Sequence, residues 1–309
     1  MTKRTGPEHI SYCSCRCFKE AIYLLKTTFL MGLMTALLVF LGDYVGGTGG
    51  MTFMLAFAIL SNLFIYWNSD KMVIRQYGAR QVTREEAPGL WNIVAGLTRR
   101  AGLPMPKVCI INSPVPNAFA TGRNASHAAV CVTTGLLDLL TPRELSGVLG
   151  HELSHIRHND ILIGTVAAGM AGIISYLARF LMFFGPRRDR DDSSGIGGLL
   201  IVLLTPLVAL IIQLAVSRTR EYMADESGGS LCGDPDALAD ALAKIESVAR
   251  MHTMPNATES TAHLFIISPF SARDAKALFS THPSTENRIT RLRAEAQAMR
   301  AAGKIDPIV

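Results

Sequence analysis

The chain has 309 residues, of which 49% are hydrophobic and only 18% charged, with a net charge of +5 from 30 basic and 25 acidic side chains. Soluble domains average about 25% charged residues, so the deficit argues against a wholly soluble protein and for the membrane. The mild positive balance, without basic stripes or interleaved aromatics, excludes a nucleic-acid-binding class. The six cysteines, Cys13, Cys15, Cys17, Cys109, Cys131 and Cys232, form no disulfide framework and fit a reducing compartment.

Residues 1–20 read as a disordered extension. The Cys13-Ser14-Cys15-Arg16-Cys17 run within it could hold a metal or a lipid, but an unstructured reduced tail is the simpler reading. Two hydrophobic segments follow within residues 21–69. One runs from Ala21 to Gly42 and the other lies between Tyr44 and Ser69. Each can supply the ~20 residues of a bilayer-spanning helix, and together they predict a hairpin. Lys3, Arg4, Arg16 and Lys19 precede the pair, Lys71, Arg75, Arg80 and Arg84 follow it, and the link has no basic residue. Both flanks therefore read as cytoplasmic.

A polar stretch, residues 70–160, comes next. Ala87 to Ala101 reads as a helix, with Pro88 at its start and Gly102 at its stop. Lys107–Ile111 and His127–Thr133 are strand candidates. Asn117-Ala118-Phe119-Ala120-Thr121-Gly122 is either a loop that turns at Gly122 or an extended edge. Thr141-Pro142-Arg143-Glu144 carries the capping-box signature of a helix start, and His151-Glu152-Leu153-Ser154-His155 lies two turns further on. Residues four apart share a helix face, so His151 and His155 can aim two imidazole nitrogens at one ion. Glu152 beside them can hold a water whose pKa zinc lowers toward ~7, and can act as general base. Asp160, close behind, fits either a partner of a ligand histidine or a plain interfacial carboxylate.

A second hydrophobic pair is predicted within residues 161–217, interrupted by Arg179 and Pro206. Whether it crosses the bilayer fully is left open by those two residues. Helices are expected near Arg218–Ser227, Pro235–Met251 and Ser284–Ala302. A catalytic zinc needs a third protein ligand. A hairpin over 161–217 would return the chain to the same face and offer Glu221, Asp225 or Glu226.

Taken together, His151–His155, the Glu221-Tyr222-Met223-Ala224-Asp225 box and Ser280-Thr281-His282-Pro283 resemble the HtpX heat-shock membrane proteases. These belong to a wider family that includes the CaaX prenyl proteases. The resemblance covers about residues 21–295. It implies an α+β, mainly helical fold, with a gluzincin-like core, a small β-sheet and about four membrane-embedded helices. It places the third ligand of a single zinc at Glu221, with Asp225 one turn on as hydrogen-bond partner of a ligand histidine. It makes Asn117, Ala118, Phe119 and Ala120 part of, or the lead into, an edge strand that pairs with substrate. It brings His282 to the cleft as a donor to the oxyanion, although His282 also fits a cap ahead of the Ser284 helix. Arg288 could support His282 or belong to a solvated face with Arg291 and Arg293. The expected function is endoproteolysis of misfolded or membrane proteins in the bacterial inner membrane, with the active site facing the cytoplasm. Three rivals remain: an intramembrane protease, a chaperone or scaffold with a structural zinc, and CaaX processing. Charged residues around the motif disfavour the first, Glu152 the second, and the small number of hydrophobic segments the third.

Overall fold

The computed structural model describes residues 8–167, 170, 217–251 and 283–309. The chain divides into two compact units, Met1–Phe64 and Ile65–Val309.

The first unit is built from α1, Glu8–Gln76, whose final residues belong to the second unit. α1 is continuous except at Gly46 and Gly47, where the backbone leaves helical geometry. Gly47 has φ +57° with ψ −147°, a region open to glycine alone among the common residues. The break folds the run back on itself. Leu30, Met34 and Leu38, at four-residue spacing, are buried, as is Ala58 across the hairpin. The Asn62 amide donates to Thr35 Oγ1 at 3.0 Å and to the Met31 carbonyl at 3.4 Å, a polar tie between two apolar helices. Phe29, Phe40, Phe53, Leu60 and Phe64 stay exposed, an outer surface suited to lipid rather than water. Among the described residues one helix, Gly46–Asn68, is long and apolar enough to cross a membrane, and Thr27–Asp43 is a shorter apolar helix. α1 begins at Glu8, so residues 8–20 are helical where an unstructured extension was expected. No proline or glycine occurs between Pro7 and Gly32 to stop the helix from extending backwards. Of the segment expected over 161–217, residues 161–167 and 170 are described and helical and Ser217 is described as the cap of the next helix; the rest lies outside the described residues.

The second unit is a mixed sheet packed against helices. Its strands are β1 (Arg80–Gln81), β2 (Lys107–Ile111), β3 (Ala118–Gly122) and β4 (Ala128–Thr133). Their order is β1-β2-β4-β3, with β2 and β4 parallel and both outer pairs antiparallel. β3 is thus an edge, with Ala118 opposite Val132 and Gly122 opposite Ala128. Side-chain alternation sorts the two faces. Val108, Ala118, Val130 and Val132 join the main core, whereas Cys109, Ile111, Phe119 and Cys131 pack with Val73 and Tyr77. Cys109, Cys131 and Cys232 are buried free thiols, as their scattered placement in sequence suggested.

Two helices precede the motif helix, α2 (Pro88–Ala101), stopped by Gly102 in the left-handed conformation, and α3 (Thr134–Leu139). α4 (Pro142–Arg157) carries the motif, and its capping box is complete. Thr141 Oγ1 accepts from Glu144 N–H at 3.4 Å while the Glu144 carboxylate accepts from Thr141 N–H at 2.8 Å. α5 (Arg218–Cys232) and α6 (Pro235–Met251) pack on it, and α7 (Thr285–Ala301) packs on both of them. Arg143 of α4 donates to Asp234 at 2.6 Å and to Asp240 at 2.7 Å, and Arg293 of α7 reaches Asp240 and Asp236. These paired charges tie both α4 and α7 to the start of α6.

Candidate metal centre

α4 puts His151 and His155 one turn apart on a single face, with their Nε2 atoms 3.1 Å from each other. Both lie where the backbones of α4 and α5 touch. A Cβ on Gly150 would sit 2.7 Å from the Gly228 carbonyl oxygen, and one on Gly228 would sit 2.6 Å from the His151 nitrogen. Only a glycine contact allows helices this close. The approach delivers Glu221 of α5, whose carboxylate oxygens lie 3.8 Å from His151 Nε2 and 3.8 Å from His155 Nε2. One donor atom from each of His151, His155 and Glu221 falls within 4.8 Å of the others.

The outer nitrogens are committed as well. His151 Nδ1 lies 2.9 Å from Asp225 Oδ1, and His155 Nδ1 lies 3.1 Å from Asp160 Oδ2. A carboxylate on Nδ1 fixes that nitrogen as the protonated one, so each Nε2 keeps its lone pair for a cation. Asp160 is buried at the head of the helical stretch 161–167, and the neighbouring Asn159 at φ +58° makes the sharp turn that aims it back at His155. Asp225 is held in turn by Arg288 of α7, which donates Nε at 2.8 Å and Nη2 at 2.7 Å in a two-pronged pair. Arg288 is only 1% exposed, so it is neither on a solvated face nor paired to that face's arginines. His282 lies outside the described residues.

Electrostatics follows from this burial. Burial alone would lift the Asp225 carboxyl, but the Arg288 charge and the hydrogen bonds from His151 and Arg288 outweigh it and hold the group below its usual range. Burial would lower the His155 imidazole, yet the Asp160 carboxylate, with Glu221 and Glu152, raises it to about 10. A cation bound at Nε2 would take the place of the second ring proton that these carboxylates favour. Glu152 is buried between the donor cluster and the sheet edge, where its Oε2 accepts the Ala120 N–H at 2.8 Å. Burial raises its carboxyl above the ordinary value, with His151 and His155 opposing and Glu221 reinforcing the shift.

The donor set fits zinc. Four-coordinate zinc with bonds of about 2.0–2.1 Å keeps its donors about 3.3 Å apart, close to the 3.1 Å and 3.8 Å seen among His151, His155 and Glu221. Two neutral imidazoles and one carboxylate are also the nitrogen and oxygen donors this cation takes in catalytic sites.

Of the residues expected at the substrate side, Ala120 bonds directly to Glu152. Asn117 organises the start of the edge, its N–H donating to Thr133 Oγ1 at 2.8 Å. Ala118 and Phe119 bury their side chains in opposite faces of the sheet, Phe119 against Tyr77 at 5.2 Å between ring centroids. Their main-chain edge, rather than their side chains, is what the site can use. Sequence reasoning missed Gly150 and Gly228. The only cue was small residues inside two charged helices, which propensity alone counts as weak positions.

A helix presenting two histidines and a glutamate, a carboxylate from a second helix and an adjoining sheet edge define a metallopeptidase. The chain belongs to peptidase family M48, whose match spans residues 84–296. It is 49% identical over 278 residues to a protein named Protease HtpX homolog from Paraburkholderia phytofirmans, covering 89% of this chain and 98% of that one. It is also 49% identical over 282 residues to a protein of the same name from Thermococcus sibiricus, covering 89% and 97% respectively. The solved structure of S. mikatae Ste24p matches at 21% identity with a TM-score of 0.48, over 90% of this chain and 66% of that chain's length.

Proposed function

We propose that this metallopeptidase is a zinc-dependent endopeptidase anchored in a bacterial inner membrane, with its active site on the cytoplasmic side. His151, His155 and Glu221 would hold the zinc, which when bound supplies an acidified water and a Lewis acid at neutral pH. The observation that carries the reading is Glu152. It sits between the donor cluster and the sheet edge, bonded to Ala120 N–H at 2.8 Å, where one carboxylate can reach both the metal position and a peptide laid along β3. A structural metal would not need that group.

In this reading Glu152 takes a proton from the attacking water and hands it to the leaving amine. Asp225 and Asp160 keep the two imidazoles oriented, and Arg288 keeps Asp225 ionised. The outer main-chain edge of β3 would pair with an extended substrate. Backbone pairing reads no particular side chain, which suits misfolded or membrane-protein substrates of varied sequence. The helical hairpin of the first unit, together with the hydrophobic residues of 161–217, would place about four helices in the bilayer. An even number of crossings puts both termini in the cytoplasm, and reporter fusions at Met1 and Val309 should then agree. No nucleic-acid partner is part of this reading.

The deciding experiment uses the full chain in detergent with an unfolded protein substrate. Cleavage should cease on chelation and return with added zinc. Cleavage that continues unchanged in exhaustively metal-free protein would overturn the proposal.

A further inference from the structure

We propose that Thr165 is a positioning residue for substrate, anchoring the end of edge strand β3 to the helical stretch headed by Asp160, the carboxylate that holds the ligand His155. The inference rests on the reading that β3 pairs with substrate.

Thr165 is 1% exposed and its hydroxyl has a complete set of partners. It donates to the Ile161 carbonyl one turn back at 2.7 Å. Its lone pairs face the Gly122 N–H at 3.2 Å and the Thr121 hydroxyl at 3.2 Å, and Thr121 is fully buried. A hydroxyl with one hydrogen and two lone pairs can satisfy all three contacts at once. Removing it would leave a buried N–H and a buried hydroxyl unpartnered, the costly form of hydrogen-bond loss.

The location gives the contact its meaning. Gly122 ends β3 at φ +138°, and a Cβ there would lie 2.3 Å from the His127 carbonyl oxygen. The strand therefore cannot continue or slide at this end, and the bond to Thr165 fixes where it stops. Arg123, the next residue, donates to the Trp67 carbonyl at 3.3 Å, a second tie at the same end. Asp160, which holds His155, sits at the head of the helical stretch that carries Thr165. One helical stretch thus bears on both a ligand's orientation and the height of the edge beside Glu152. A shift of this helix would move the peptide-pairing edge and weaken its hold on an extended substrate.

The test compares Thr165→Val, which keeps shape and removes the hydroxyl, with Thr165→Ser, which keeps the hydroxyl, in the full chain loaded with zinc. Metal content, kcat and KM for a long quenched-fluorescent peptide, and amide exchange across residues 118–122 are measured together. Thr165→Val should retain its zinc, raise KM about tenfold with kcat within about twofold, and speed exchange in β3. Thr165→Ser should restore KM. Should Thr165→Val fail to fold, Thr121→Val removes one arm of the same contact and should give a smaller shift in the same direction. Unchanged exchange and unchanged KM would overturn the anchoring role itself. Faster exchange with unchanged KM would overturn the proposal from the other side, because the strand would be anchored by Thr165 yet not be where substrate binds.

Discussion

Gly150 of α4 and Gly228 of α5 meet backbone to backbone, with room for no side-chain carbon on either. The contact lies one residue from His151 and seven residues along α5 from Glu221, so it sets how far apart the donor-bearing helices stand. Two effects compete when Gly228 becomes alanine. Alanine is favoured in a helix interior by about 1 kcal/mol, while overpacking a close contact costs about 1–3 kcal/mol. The obstructing atoms here are the backbone of His151, at 2.6 Å and 2.7 Å, and cannot rotate away. We expect Gly228→Ala to push α5 outward, weaken metal retention and lower the melting temperature. Gly229→Ala is the control, since its Cβ would meet Pro235 at 3.0–3.2 Å, a tight contact that does not involve a donor residue. Metal content after dialysis of both variants checks the difference.

Glu152 should separate chemistry from metal binding. Glu152→Gln keeps the size of the side chain and loses its basicity. We expect full zinc content and a fall in turnover of about 10²- to 10⁴-fold, the usual contribution of a general acid–base group. Metal analysis beside a peptide-cleavage assay reads both quantities. Substantial turnover in a zinc-loaded variant would assign the proton transfers elsewhere.

The parts of this site that sequence made visible are those with a fixed local spacing. The four-residue offset of His151 and His155 and the three-residue offset of Thr141 and Glu144 are properties of one helix, and both appear in α4 as expected. β2 follows its hydrophobic run at Lys107–Ile111 without displacement. Arg288 was ambiguous for a physical reason. α7 carries Arg288, Arg291, Arg293 and Arg300 among polar neighbours, and only the packing decides that the first is buried on Asp225 while Arg291 lies over the Tyr222 ring at 3.9 Å. The Gly150–Gly228 approach was equally invisible, because it joins residues far apart in the chain and leaves no periodic pattern. Asp160 lay between two readings until the turn at Asn159 placed it on His155.

Glu295 gives a pH signature independent of turnover. Burial raises its carboxyl to about 7, opposed by the Ser230 hydroxyl and reinforced by Glu226 and Asp225. A carboxyl whose folded pKa lies above its unfolded value near 4.5 favours the folded state when protonated. Its contribution is therefore full below the unfolded value and is lost as pH rises through about 7. Glu295→Gln should melt close to the wild type under mildly acidic conditions and above it under mildly alkaline ones. Thermal scans of both proteins on either side of neutrality measure that divergence, and parallel curves at all pH values would show that the group does not titrate as described.

The pairing of Asp225 with Arg288 predicts a graded effect on the metal. Asp225 Oδ1 is shared by His151 Nδ1 and Arg288 Nη2, while Oδ2 takes Arg288 Nε, so the carboxylate is fixed in one orientation by two prongs. Lysine can supply the charge but not the fork. Arg288→Lys should keep Asp225 ionised yet let it swing, loosening the hold on His151. Removal of an outer carboxylate commonly changes metal affinity or activity ~10- to 100-fold. We expect Asp225→Asn to fall in that range, because the amide cannot accept from His151 and Arg288 with both atoms. Arg288→Lys should produce a smaller loss in the same direction. Glu221→Ala removes a donor outright and should lose tightly held zinc altogether, whereas Glu226→Ala, on an exposed position of α5, should keep it. Zinc affinity by competition with a chromophoric chelator ranks the four variants without any activity assay. Full retention in Glu221→Ala with loss in Asp225→Asn would move the third ligand from Glu221 to Asp225. Equal affinity in Arg288→Lys and the wild type would reduce the arginine to a packing role.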